Sequence, residues 1–565
     1  MPELNEPAVG LSTDSPRHRW PKKMLCLTGI VVMLIVLAHV FISDLDDAVG
    51  LGLDGVMILT MASIAILNLL WMAWFLFFSR MRWWNRLLGI VCVAAFPVVL
   101  FSLFRPVNGG DANIMRFEPV WMARAEAGVV EVVESVDGVD LTTETDNDYP
   151  RFLGPRQNAT IIGLNIDPDT FGTASEPIWK QPIGKGWSGF AARNGFAVTM
   201  EQRLENECVT CYDIETGTVR WVYKHPERHR DTMNLGRVGP RATPTIHDGD
   251  VYAVGGVGNF VCLNGSDGTV KWQKSVSEIV GSKLTKGTDS DGTYHCEIEA
   301  GLAWGRSGSP LVVDDLVIVP GGGSKGQKTT LLAFDRQTGE LRWRGGNEMI
   351  GYGSPILATV AGTRQILYIA ESKVMGFDPQ TGDVLWDHPR LGESTSAANC
   401  SQPTVISTNR IVTSKGYPDG GGEVIELTTN GDEIKAKSIW SDHRVLKTKL
   451  TSPVIHGGHA YSISNGFLEC ADLADGKRVW KRRGRFGHGQ ILLVDDMLLV
   501  HSESGTLYLV AADSAGYREL ASFKTIDGVC WNTMCLYGSR LLLRSELEAA
   551  SYELPVLEQP LGSKS

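Results

Sequence analysis

The sequence has no surplus of basic residues. Its 53 Lys and Arg stand against 64 Asp and Glu, a net charge of −11, and a nucleic-acid binder needs the opposite balance to displace phosphate counterions. Charged residues reach only 21% and hydrophobic residues 43%, which excludes a wholly disordered, collagen-like or coiled-coil chain. Aromatics are few at 8%, yet 16 residues are Trp and 62 are Gly, a pairing that favours many short strands joined by tight turns. A length of 565 residues allows either several domains or one repeat fold that grows by adding units.

A cleavage site is also missing. The first apolar run, Met24–Ile42, is followed by no small-residue site for a signal peptidase, and a cleaved leader is therefore disfavoured. Two more runs follow, Val56–Phe78 and Leu87–Phe104, each close to the roughly 17–25 residues a helix needs to cross hydrocarbon. Arg17, Arg19, Lys22 and Lys23 precede the first run, and Arg80, Arg82 and Arg86 separate the second from the third. The loop between the first two carries Asp44, Asp46, Asp47 and Asp54 and no base. By the positive-inside rule residues 1–23 are cytoplasmic, residues 24–104 form three transmembrane helices, and the rest lies on the far side. Trp71, Trp74, Trp83 and Trp84 fit an interfacial belt. His39 and Asn68, polar within spans, are read as structural. Residues 105–148 form an acidic linker with little periodicity.

Beyond it an eleven-residue pattern recurs. Cys211-Tyr-Asp213-Ile-Glu-Thr216-Gly217-Thr-Val-Arg-Trp221 returns at Ala333 to Trp343 and at Gly376 to Trp386, with looser copies at Cys262 to Trp272 and Cys470 to Trp480. The Trp residues at 221, 272, 343, 386, 440 and 480 are 51, 71, 43, 54 and 40 apart, and the short gaps approach one four-stranded propeller blade of about 40–50 residues. Within a copy, Asp or Asn accepts backbone N–H bonds across a turn and Gly takes its positive-φ position. A small residue ends a strand where a bulky one would clash with the neighbouring blade, and Trp lays its ring between blades. The docking tryptophans on this reading are Trp179, Trp221, Trp272, Trp343, Trp386 and Trp480.

A second signal opens each innermost strand: Thr243-Pro244, Ser309-Pro310, Ser354-Pro355, Gln402-Pro403 and Ser452-Pro453. Proline is tolerated at a strand's first residue. Blade starts near Trp187, Arg241, Ser307, Tyr352, Ser401, Thr451, His488 and Trp531 give an all-β eight-bladed β-propeller over residues 149–555, with a tail at 556–565. The last blade is short of strands, and Trp179-Lys-Gln-Pro182 is expected to complete it and close the ring. An open solenoid or sandwich is the competing architecture.

These repeats resemble the tryptophan-docking motif Ala-x-Asp-x-x-Thr-Gly-x-x-x-Trp of the quinoprotein alcohol dehydrogenase-like superfamily, and the chain from Tyr149 onward is similar to bacterial PQQ-binding-like β-propeller repeat proteins. Supporting segments are Arg151-Phe-Leu-Gly-Pro155, Gly186-Trp-Ser-Gly-Phe190, Trp304-Gly-Arg-Ser-Gly-Ser-Pro310 and Gly487-His-Gly-Gln490. That superfamily includes PQQ-dependent dehydrogenases and a non-enzymatic propeller lipoprotein of the outer-membrane protein assembly machine. The dehydrogenases carry adjacent cysteines over the cofactor, calcium ligands and in some cases Cys-x-x-Cys-His. This sequence has no Cys-Cys pair and no such haem motif, so PQQ is a possible rather than an assigned cofactor, and no catalytic residue or metal ligand is assigned.

Two site readings follow. Cys208-Val-Thr-Cys211 has metal-like spacing, but on a strand residues i and i+3 face opposite ways, and Cys211 occupies the small-residue position of the repeat. The residues just before each innermost strand face the axis: Trp187, Arg241, Arg306, Tyr352, Gln402, Lys449, His488, Trp531 and Asn532. Cations and aromatics around one mouth suit a planar anionic ligand, and equally suit bonding between neighbouring strands. The expectation is a propeller in the periplasm, held by a multi-pass anchor in the inner membrane, that acts as a binding or scaffold module for an envelope protein or a small anionic ligand. A PQQ-dependent oxidoreductase is the alternative.

Overall fold

The computed structural model describes residues 22–42, 44–45, 53–79, 81–107, 116–121, 138–231, 236–288, 294–298, 302–323, 328–390, 397–417, 420–431, 433–482, 484 and 486–557. Arg17, Arg19, Arg80, Asp46, Asp47, much of the acidic linker and most of the C-terminal tail lie outside these residues. The chain divides into two compact units, one of Met1–Pro106 with Phe117–Trp121 and one of Met122–Ser565 with Val107–Arg116.

In the first unit the helices are α1 (Lys22–Val40), α2 (Leu53–Phe77) and α3 (Trp83–Leu103). All three are long and apolar enough to cross a membrane. Polar side chains stitch the first two together. His39 Nε2 lies 3.2 Å from Thr60 Oγ1, and Trp71 Nε1 donates to Thr28 Oγ1 at 2.9 Å. Asn68 instead donates to the Ile64 carbonyl of its own helix. The linker shows more order than its sequence suggests. Strand β1 (Phe104–Val107) pairs with β2 (Arg116–Pro119), and Val139 and Leu141 are buried against the first two blades.

The second unit is an eight-bladed β-propeller. Innermost strands run Ala191–Arg193, Thr245–His247, Leu311–Val313, Ile356–Val360, Thr404–Ser407, Val454–His456, Gln490–Val494 and Cys535–Tyr537 in blades 1 to 8. Each blade then adds strands outward by antiparallel pairing. Blade 8 takes its fourth strand from the start of the domain, where Trp179 pairs with Ser551 and Pro182 with Glu548. The ring is closed as the sequence implies. Arg544, fully buried on blade 8, donates to Thr199 Oγ1, the Met200 carbonyl and the Gly184 carbonyl across that seam, at 2.7–2.9 Å.

The 71-residue gap between Trp272 and Trp343 has a visible cause. The connection from blade 2 to blade 3 carries a one-turn helix (Val276–Ile279) and a hairpin (Leu284–Thr288 with Tyr294–Ile298). Cys296 N–H donates to the Arg228 carbonyl, and Arg230 pairs with Glu297 at 2.8 Å.

A strap built from residues 149–165 crosses the end of the ring opposite the strand starts. Tyr149 pairs with Ala192 of blade 1, and Ile246 of blade 2 donates to the Pro150 carbonyl. Leu357 of blade 4 donates to Gln157 Oε1 at 3.4 Å, and Thr160 and Ile161 run parallel to Leu493 and Val494 of blade 7. The N–H groups of Gly163, Leu164 and Asn165 then converge on the Asp495 carboxylate at 2.6–3.1 Å. Arg151-Phe-Leu-Gly-Pro155 belongs to this strap.

Candidate functional site: the axial mouth and its collar

The repeat chemistry differs in detail from its sequence reading. Asp213 Oδ1 accepts from the N–H groups of Glu215 and Thr216, as a polar turn requires. The small residue does not end its strand. Cys211, Cys262, Ala333, Gly376 and Cys470 sit directly across from Trp221, Trp272, Trp343, Trp386 and Trp480 of the same blade, so the indole of its own blade limits its size. The neighbouring blade meets the turn glycine instead. A Cβ on Gly217, Gly268 or Gly339 would lie 2.6–2.7 Å from the ring of Trp179, Trp221 or Trp272.

Each indole N–H then seeks a carbonyl on the next blade. Trp179 donates to Ile214, Trp221 to Gly265, Trp272 to Arg336, Trp343 to Pro379 and Trp480 to Asp513, at 2.7–3.2 Å. Trp440 does the same to Leu473 at 2.8 Å. Trp386 departs and donates to Gln365 Oε1 of its own blade. Blade 5 has no Asp-x-x-Thr-Gly turn to receive it.

The hydroxyls of the Ser/Thr-Pro signals carry a function that the motif did not disclose. Around the axis Gly189 N–H donates to Thr243 Oγ1, Thr243 N–H to Ser309 Oγ and Ser309 N–H to Ser354 Oγ, at 2.8–3.0 Å. Gln402 bridges the next two seams, with its Nε2 to the Ser354 carbonyl and its N–H to Ser452 Oγ. Gln490 Nε2 spans the Leu450 and Trp531 carbonyls, and Asn532 Nδ2 closes onto the carbonyls of Gly186 and Ser188. The result is an unbroken collar across all eight blade boundaries. Gln490 and Asn532 each reach two carbonyls with one side-chain amide, which carries two N–H donors.

The remaining rim residues divide into groups. Trp187, Trp531 and His488 meet, with ring centroids 4.6 Å apart for the two tryptophans and 6.5 Å for His488 with Trp531. Trp187 Nε1 donates to the Gly236 carbonyl at 2.7 Å, and the N–H of His488 to Glu503 Oε2 at 2.8 Å. Arg241 donates to the carbonyls of Gly236, Arg237 and Gly239 and lies 3.9 Å from Asp231. Tyr352 accepts from the Trp304 N–H, and burial raises its phenol pKa. Lys449, buried, holds its ammonium 4.8 Å from the Tyr417 ring centroid.

Arg306 stands apart, 3% exposed, and donates to the Gly321 carbonyl and weakly to Ser277 Oγ. No carboxylate pairs with it among the described residues, and burial pushes its pKa down to about 10. Missed by sequence reasoning were Trp304, whose ring packs near Arg241 and Gly236, and Gln490. Counting five residues back from the turn at Asp495, as Thr243 lies five before Asp248, was the signal that could have found Gln490.

The rim does not fit a planar tricarboxylate such as PQQ. The Trp187 and Trp531 rings pack on each other rather than leaving a slot, and Arg241, Gln402 and Asn532 spend donors on the chain's own carbonyls. Cys208 and Cys211 are buried thiols without a disulfide, the former's pKa raised to about 12 by desolvation.

Fold and repeat together define a PQQ-like β-propeller repeat protein. A family model described as outer membrane protein assembly factor BamB matches residues 205–482. BamB of Xanthomonas campestris pv. campestris is 24% identical over 376 residues, 59% of this chain and 84% of that protein. BamB of Salmonella typhimurium is 23% identical over 300 residues, 47% of this chain and 70% of that protein. Among solved structures, quinohemoprotein alcohol dehydrogenase from Comamonas testosteroni is 13% identical, covering 75% of this chain and 83% of its own, at a TM-score of 0.49.

Proposed function

We propose that the chain is a membrane-anchored, envelope-facing propeller that binds protein as an assembly scaffold. The observation that carries this reading is the match of residues 205–482 to the BamB assembly-factor family. The side chains of Arg241, Gln402, Gln490 and Asn532 donate to the chain's own carbonyls, which supports it, because donors already used within the ring leave the faces and blade edges as binding surfaces. Three apolar helices support membrane attachment. Lys22, Lys23, Arg82 and Arg86 flanking them support a cytoplasmic N-terminus, with the propeller beyond the inner membrane.

In this reading the collar, to which Gln402 and Asn532 of the rim belong, keeps the blades in register. A small anionic ligand is the competing occupant, and Arg306 is where it would register, as a buried guanidinium with no carboxylate beside it among the described residues. The test uses the full chain in lipid nanodiscs, titrated with PQQ and Ca²⁺ while absorbance and dye reduction with alcohols and sugars are followed. Flat titrations are expected, together with site-specific photo-crosslinks from exposed blade positions to a defined envelope protein in cells. Saturable binding with turnover, lost in Arg241→Met and Arg306→Met, overturns the scaffold reading.

A further inference from the structure

The third apolar helix does not simply let go of the chain. α3 ends at Leu103 and passes directly into β1, which pairs with β2 in a sheet of its own. Val120 N–H then donates to the Leu103 carbonyl at 2.9 Å, so the hairpin returns to the helical turn from which it left. The rings of Phe104 and Trp121 lie 6.1 Å apart at that return. Trp121 is nonetheless 71% exposed and Val120 49%.

Two features need explaining. A lone two-stranded hairpin is marginal in water, and no third strand joins this one among the described residues. An exposed tryptophan and valine sit where an all-round apolar helix ends. Tryptophan, with an apolar body and a polar N–H, is the side chain that favours the boundary between hydrocarbon and water.

We propose that the β1–β2 hairpin is an interfacial staple whose partner is the lipid surface. Trp121 and Val120 seat in the headgroup layer of the leaflet where α3 ends, and the chain leaves the membrane after Trp121 rather than after Leu103. The staple rests on the reading of α1 to α3 as membrane spans, and its test separates the two.

The full chain, with Cys26 and Cys400 changed to Ser, is placed in phosphatidylethanolamine–phosphatidylglycerol liposomes and carries one nitroxide. The label sits at native Cys92, exposed on α3, or, with Cys92→Ser added, at Trp121→Cys or Glu205→Cys. Glu205 is exposed on a turn of blade 1. Accessibility to oxygen and to a water-soluble nickel chelate is read at each site.

The expected result is nickel access at position 121 several-fold below that at 205, with oxygen access approaching that at Cys92. Nickel access at 121 equal to that at 205, while Cys92 stays lipid-protected, overturns the staple and leaves the spans intact. If Cys92 is as open to nickel as 205, the membrane reading falls and the staple falls with it.

Discussion

Glu207, on the third strand of blade 1, shows what one buried carboxyl costs. One oxygen accepts from the Gly256 N–H of blade 2 at 2.8 Å, and the residue is 2% exposed. Desolvation, helped by nearby Glu227, raises its pKa from an ordinary 4.5 to about 7. Between those values the folded chain keeps a proton that the unfolded chain has released, so the folded state binds more protons and stability falls as pH rises. The neutral carboxyl's contribution is full below about pH 4.5, declines through the window to about 7, and is lost above it. Glu207→Gln stays neutral throughout. Thermal melts at pH 5 and pH 8 should show a smaller drop for the variant than for the parent. An equal drop would mean that the carboxyl is already ionised in the fold.

Between blades, stability lies in the contact of an indole with a turn glycine. Gly339 has a φ of 68° and a Cβ there would meet the Trp272 ring at 2.7 Å, whereas Gly362 has a φ of 75° and open space around it. Gly362→Ala therefore pays only the left-handed backbone cost, about 1–2 kcal/mol. Gly339→Ala adds displacement of a docked ring, an overpacking cost of about 1–3 kcal/mol more. Urea denaturation of the two variants measures the difference, and equal losses would remove ring contact as the reason for the glycine.

The element scale is also where the sequence spoke most clearly. Trp and Gly recur at fixed spacing within a copy, so the blade, its count and its closing strand were readable. The partner of each was not. The small residue was assigned to the neighbouring blade, while the structure gives that contact to Gly and pairs the small residue with its own Trp. The collar escaped notice for the same reason. Ser309 and Ser354 bond across blades 45 residues apart, and a motif read along the chain names no neighbour across it. At the rim, Trp187, Arg241 and Asn532 were expected at one mouth, and only the structure reveals that their donors turn back onto backbone carbonyls. The hairpin after α3 has two short strands without alternation, too little for periodicity to register.

For the whole ring, two arginines of blade 8 make a controlled pair. Arg540 reaches Glu215 of blade 1 at 2.7 Å, but both side chains are partly exposed, 23% and 62%. Arg544 makes its contacts to blade 1 fully buried. Arg544→Met should cost about 1–3 kcal/mol for each buried acceptor it leaves unsatisfied and open residues 149–182 to protease. Arg540→Met should cost about 0–1 kcal/mol and leave digestion unchanged. Equal effects would show that the seam is held by its strand pairing alone.

The order of synthesis gives that seam a further meaning. The strap and the Trp179 strand leave the ribosome before any complete blade, yet they bind Asp495 and Ser551, which are made more than 300 residues later. At roughly 5–20 residues per second they wait on the order of tens of seconds for those partners. During that interval the nascent propeller is an open arc with two bare sheet edges. A chain that ceases translation before Cys535–Tyr537 is left in that state, so the codons of blade 8 decide whether the blades before them close into a ring or become a substrate for quality control.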